Sequence, residues 1–181
     1  MTPGSDGVSG PRLGLASRLP INEPVTTITD FPAGMDVEAE GLALPVGTFS
    51  RPVLRTRVVL DPTRGTTSTM FVARLKSKRP IRDRQAPEHD PREEVLGKAR
   101  ALIRRAAEAA ALRFLVLQEI TGNAQPVMVL GDLNDAARAV TTDIIMGDSL
   151  QVLAERPRLQ GGLLGPTAVL GLRTHRSPDR T

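Results

Sequence analysis

The stretch PVMVLGDLNDAAR, residues 126–138, runs through four apolar residues, breaks at Gly131, and then brings Asp132, Asn134 and Asp135 together. PVMVL has the length and composition of a buried strand. At a strand end, residues two apart point the same way with Cα atoms ~6.5–7 Å apart, so Asp132 and Asn134 are expected to project together. A carboxylate there suits a hard divalent cation, which takes one or two carboxylates together with water and phosphate oxygens. An adjacent amide can donate to a phosphate oxygen without adding negative charge. Gly131 lets the backbone leave the strand at an angle that a side chain resists. The same residues also fit a plain strand-to-helix turn, in which Asp132 and Asn134 bond to nearby backbone. Asp135 is expected to cap a short helix through Ala137, Val140 and Ile144.

Upstream, VLRTRVVL (53–60) and TMFVARLKSK (69–78) flank the turn-forming DPTRGTTS, which predicts an antiparallel pair. In the second run Phe71, Ala73 and Leu75 share one face, and Arg74, Lys76 and Lys78 share the other. That charged face is either phosphate-facing or a solvated edge blunted by charge. Residues 79–90 read as a polar, mobile loop. Asp90, Pro91 and Glu93 then predict a helix start with a capping box. Val95, Leu96, Ala99, Leu102, Ile103, Ala106 and Ala110 recur at helical spacing and are expected to lie on a sheet. The helix should end near residue 120, before Gly122-Asn123. LGLASRLPI (13–21) reads as a short strand, and residues 22–47 as strand pieces and loops. Residues 1–11 read as a disordered lead-in, 12–155 as one domain, and 156–181 as an irregular or mobile tail. The order strand, strand, helix, strand, helix predicts α/β or α+β layering.

A chain of 181 residues can bury a real core. It has no cysteine, which excludes disulfides, zinc–thiolate sites and thiol catalysis. Lys76, Lys78 and Lys98 are the only lysines among 24 basic residues, and the net charge of +4 favours anionic partners. Tyr and Trp are absent, which counts against stacking of single-stranded bases. The first residues carry no signal-peptide pattern, leaving a cytoplasmic location as the default. No run is long enough to span a membrane.

VMVLGDLND, preceded by a long helix and by FVARLKSKRP, resembles the endonuclease/exonuclease/phosphatase superfamily, the deoxyribonuclease-I-like fold. VGTFSRPVLRTRVVL is similar to the segment of that family in which Ser-Arg-Pro begins a strand, and LGLASRLPI to its earlier Ser-Arg-x-Pro-Ile strand. The resemblance covers residues 10–150 in consistent order. It implies an α+β four-layer sandwich of two packed mixed sheets with helices outside. It also implies hydrolysis of phosphodiester or phosphomonoester bonds with Mg²⁺ or Mn²⁺, on nucleic acid or another phosphate ester. Asp132 would then position water or hold metal, Asn134 would bond the scissile phosphate, and Arg51 would grip it as a charged fork. Arg74, Lys76 and Lys78 would add phosphate-facing charge.

The departures concern the chemistry. Where the family has a phosphate-binding histidine, this chain has Arg74, which cannot trade protons near neutral pH. The family's Gln-Glu metal strand and closing Asp-His pair have no match here. FLVLQEI (114–120) falls in the long helix, so Glu119 is expected at the surface. His175 and Asp179 stand in the wrong order, and His89 is expected to be satisfied or exposed. The expectation is therefore a fragment of a longer product, a nuclease-like phosphoesterase impaired as it stands, or a non-catalytic phosphate-binding remnant.

Overall fold

In chain order the elements are β1 (Thr26–Asp30), β2 (Glu38–Ala39), β3 (Leu42–Ala43), β4 (Thr48–Asp61), β5 (Thr66–Arg74), α1 (Pro91–Ile120), β6 (Val127–Asp132), α2 (Val140–Met146) and β7 (Ala168–Leu172). They belong to a computed structural model that describes residues 13–35, 38–39, 42–43, 46–121, 125–136, 139–147 and 168–172, with 38–39, 42–43 and 168–172 described by backbone alone. Strands β1, β4, β5 and β6 lie side by side in that order, and β7 extends the sheet beyond β6. β2 and β3 form a separate two-stranded pair. With α1 and α2, this is a mixed α+β arrangement.

The alternation in 53–60 and 69–78 does produce an antiparallel hairpin, with Leu54 opposite Val72 and Val59 opposite Thr67. β5 then pairs in parallel with β6, Phe71 beside Val129 and Arg74 beside Asp132. A parallel pair needs a crossover, and α1 supplies it. Phe71, Ala73 and Leu75 all enter the core, where they meet Leu112 and Val116 of α1 and Val127 and Val129 of β6. Burying side chains such as Phe71 and Leu75 contributes roughly 1.5–3 kcal/mol each.

Helix α1 keeps its predicted limits but turns a different face to the sheet. Val95, Leu96, Leu102 and Ile103 are exposed. The buried residues include Gly97, Ala101, Arg105, Glu108, Leu112 and Val116. The physical reason is that the charged members of this face find partners on the sheet and the preceding loop. Glu119 is not at the surface: it receives Arg55 Nε at 2.7 Å and Thr69 Oγ1 at 3.0 Å. Asp90 caps α1 by accepting Arg92 N–H at 2.9 Å. Glu93 does not complete a capping box, because its carboxylate takes Asp83 N–H at 2.6 Å and Arg100 instead.

The 79–90 loop, read as mobile, is fastened along α1 through that bond and through Ile81 N–H to Gly97 O at 2.9 Å. A Cβ at Gly97 would come within 2.9 Å of Pro80 Cβ and 3.1 Å of Ile81 O, so a glycine lets the loop lie this close.

Three further expectations are corrected. Residues 13–21 form no strand beyond a single bridge of Ile21 to Val58. The tail is not irregular throughout, since 168–172 pair antiparallel with β6. Helix α2 starts at Val140 behind Ala139 with no side-chain cap, because Asp135 bonds the Thr141 hydroxyl at 2.7 Å rather than the first-turn backbone. The expected stop at Gly122-Asn123, together with Ala137, lies outside the described residues. No helix among the described residues is long and apolar enough to cross a membrane.

Candidate functional site

Strands β5 and β6 end side by side, and this shared edge carries most of the predicted residues. Gly131 has φ +124°, and a Cβ there would lie 2.0 Å from Ala73 O. The two backbones therefore approach too closely for any other residue. Asn134 follows with φ +55°, a left-handed conformation that asparagine tolerates better than most side chains.

Asp132 and Asn134 are brought together, but partly by each other. Asp132 Oδ1 accepts the Asn134 backbone N–H at 3.0 Å, and Asn134 Nδ2 donates to Leu75 O at 2.8 Å. The Leu75 N–H donates in turn to Asp132 O at 3.1 Å. This is the locally bonded turn that the sequence also allowed, here used to tie β6 to the chain leaving β5.

Arg74 stands beside Asp132 with Nε 3.4 Å from Oδ2, both side chains half-exposed. Among the described residues Arg74 Nε is buried without a hydrogen bond. Lys78 does not share a strand face with Arg74. It lies beyond the strand end and reaches Asp135 at 3.1 Å. The Asp135 carboxylate also faces Arg105 Nε at 3.5 Å. Burial pushes Asp135 up, but hydrogen bonds from Thr141, Lys78 and Ala136 outweigh it, and the carboxyl ends below its ordinary value.

The organising group is one that sequence reasoning passed over. Glu108 of α1 is fully buried. Its two oxygens accept Ser50 N–H at 2.8 Å and Lys76 N–H at 2.6 Å, so one carboxylate clasps the start of β4 and the continuation of β5. Arg104 Nε lies 3.3 Å from it and Arg104 Nη2 donates to Thr48 O at 3.1 Å. Arg105 Nη1 donates to Lys76 O at 3.4 Å. The signal was present in the spacing, since 93, 97, 101, 105, 108, 112, 116 and 119 recur at helical intervals on one face.

Arg51 follows Ser50, whose N–H Glu108 accepts, and so joins this cationic group. Among the described residues it has no hydrogen bond or ion pair with Asp132 or Asn134. Its field does reach Lys76. Desolvation lowers the Lys76 ammonium below its ordinary value. Glu108 opposes that shift, while Arg51, Arg105 and Arg104 add to it. Lys76 Nζ donates to Ser77 O at 3.1 Å and Arg79 O at 2.9 Å.

The Mg²⁺ or Mn²⁺ implied by the resemblance meets a poorly suited donor set in this arrangement. One Asp132 oxygen is bonded to backbone and the other faces a guanidinium. The Asn134 amide nitrogen is spent on Leu75 O, so only its oxygen could face a cation, and Asp135 is paired with Lys78. A cation at Asp132 would sit against Arg74. His89 is exposed, as expected, and His175 and Asp179 lie outside the described residues. No family model, no curated protein and no solved structure matches the chain.

Proposed function

We propose that this chain binds phosphate esters, nucleic acid foremost, where the ends of β5 and β6 meet α1, on a scaffold of the endonuclease/exonuclease/phosphatase kind. The observation that carries it is charge. Among the described residues Arg51, Arg74, Lys76, Lys78, Arg104 and Arg105 gather there against Glu108, Asp132 and Asp135. Those carboxylates hold the cations in place without neutralising them all, which leaves a preformed field for an anion. Arg51 has no acid partner among the described residues, so its guanidinium is available for a bidentate grip on phosphate. The scaffold assignment draws support from apolar Leu54, Val58 and Val72, which alternate away from α1 and are buried. A second packed sheet on that face would give the four layers.

A second reading is Mg²⁺-dependent hydrolysis of the bound ester. What favours it is the exposure of the Asp132 carboxylate, 40% of its side-chain surface. It requires Arg74 to leave that carboxylate free for the cation. With arginine in place of a proton-transferring histidine, the expected deficit is ~10²–10⁴ in rate.

One experiment separates the two. Affinity for duplex DNA is measured against salt, alongside Mg²⁺-dependent cleavage of plasmid DNA and of a simple phosphodiester, with Asp132→Ala as control. Binding that weakens steeply with salt, without turnover, supports the first reading. Turnover abolished by Asp132→Ala supports the second, and neither binding nor turnover overturns both.

A further inference from the structure

The chain leaving β5 runs as a strap along the N-terminal half of α1, and backbone tethers hold it there. Glu108 accepts the Lys76 N–H at 2.6 Å, and Gly97 O accepts the Ile81 N–H at 2.9 Å. Arg100 Nη1 donates to Ile81 O at 3.2 Å, and Glu93 accepts the Asp83 N–H at 2.6 Å. Glu108 and Glu93 stand ~22 Å apart along α1 at 1.5 Å per residue. The chain from Lys76 to Asp83 reaches only about 23–25 Å when fully extended, so the strap is nearly straight. From 76 to 84 it carries Lys76, Lys78, Arg79, Arg82 and Arg84 against one acid, Asp83, whose Oδ1 accepts the Gln85 N–H at 2.9 Å. Two of the cations brace the strap itself: Lys76 Nζ donates to Arg79 O at 2.9 Å, and Arg82 Nη2 donates to Pro87 O at 3.0 Å. Lys78 is shared with Asp135. Arg79 and Arg84 are exposed, and among the described residues they have no acid partner.

We propose that this strap is a basic rail that carries a duplex nucleic-acid backbone beyond the ends of β5 and β6, with Arg79 and Arg84 as its phosphate contacts. It rests on the phosphate-ester reading of that edge and extends it from one phosphate to several. Length points to a polymer: over ~22 Å one strand of a duplex presents about six phosphates. Fixation separates the strap from an ordinary solvated loop, because arginines on a backbone pinned along its length lose less freedom when they bind. The segment 76–84, KSKRPIRDR, holds no aromatic residue. It therefore offers charge to a backbone and no ring to a base, so contact along it carries no sequence information.

Anisotropy titrations of the full chain with a labelled DNA duplex, over a range of salt, test the rail through the double change Arg79→Gln and Arg84→Gln. Losing two phosphate contacts should lower the salt slope by roughly two and weaken binding about tenfold or more at low salt. The loss should be equal on duplexes of unrelated sequence. A charge-matched control is Arg18→Gln with Arg64→Gln. Both arginines are exposed, Arg64 in the β4–β5 turn at the far end of β5 and Arg18 near it, where Pro20 O accepts the Val59 N–H at 2.9 Å. This control should leave the slope unchanged. A rail variant that behaves like the control overturns the proposal. If Arg51→Gln still weakens binding in that case, the edge stands without the rail, whereas a wild type that binds no duplex removes both. A loss confined to one sequence overturns the backbone contact. Phosphatidylserine vesicles that bind the wild type more tightly than the duplex, and lose that binding in the double variant, put a membrane surface on the strap and overturn it equally.

Discussion

Arg74 and Asp132 stand side by side on parallel strands, Nε 3.4 Å from Oδ2, where a metal-dependent site would need the acid free. The pair is half-exposed, so it adds no more than about 1 kcal/mol to stability. Arg74→Gln should therefore shift the urea midpoint little while weakening DNA binding and lowering its salt slope by roughly one. Urea unfolding and fluorescence anisotropy, run on the same preparation, check both halves.

Glu108 behaves oppositely. It is fully buried and accepts from Ser50, Lys76 and Arg104. Glu108→Ala should leave two strand-end N–H groups and a guanidinium without their acceptor, costing about 3–5 kcal/mol. Denaturant unfolding measures that loss. Glu108→Gln keeps one acceptor oxygen and should lose less.

Gly131→Ala should be among the most damaging single-atom additions. Its Cβ would fall 2.0 Å from Ala73 O at a φ of +124°, and the β5–β6 step must shift to admit it. The expected cost is roughly 3 kcal/mol or more. A thermal melt close to that of the wild type would show that the strands do not run this close.

The depressed Asp135 carboxyl predicts an acid-side loss of stability. A folded value below the ordinary 3.8 means that its contribution is fully present above the unfolded value and disappears as pH falls through the folded one. The loss therefore falls below about pH 4. Thr141→Val removes the 2.7 Å hydroxyl bond and should make this part of the curve shallower. Urea midpoints from about pH 6 to pH 2 test the slope.

The hairpin was legible because β-branched alternation and the Asp61–Gly65 turn agree, and because Phe71, Ala73 and Leu75 have no better place than the core. The start of α1 was legible from Asp90-Pro91, a capping carboxylate followed by a residue suited to the first turn. The face of α1 was not. Hydropathy sends Glu93, Arg105, Glu108 and Glu119 outward, but strand-end N–H groups, Arg55 and the 79–90 loop offer them partners within the fold. The sequence pattern alone does not display those partners. Asp132, Asn134 and Arg74 meet at one strand edge, as the run of strand, glycine and polar residues suggests, while the nearness of Arg51 to Lys76 depends on strand pairing that the sequence does not display. Asp135 reads as a cap in one dimension. In three it gathers Lys78 and Arg105 from elements far apart in the chain.

The most direct measurement is duplex-DNA affinity of Asp132→Asn beside Arg51→Gln, at several salt concentrations and with Mg²⁺ present. Asparagine can still accept the Asn134 N–H, so the turn is kept while one negative charge is removed. A phosphate-binding edge predicts that Asp132→Asn binds several-fold more tightly at low salt, that Arg51→Gln binds more weakly, and that neither protein cleaves. Weaker binding by Asp132→Asn, or Mg²⁺-dependent cleavage by the wild type that this change abolishes, would contradict it.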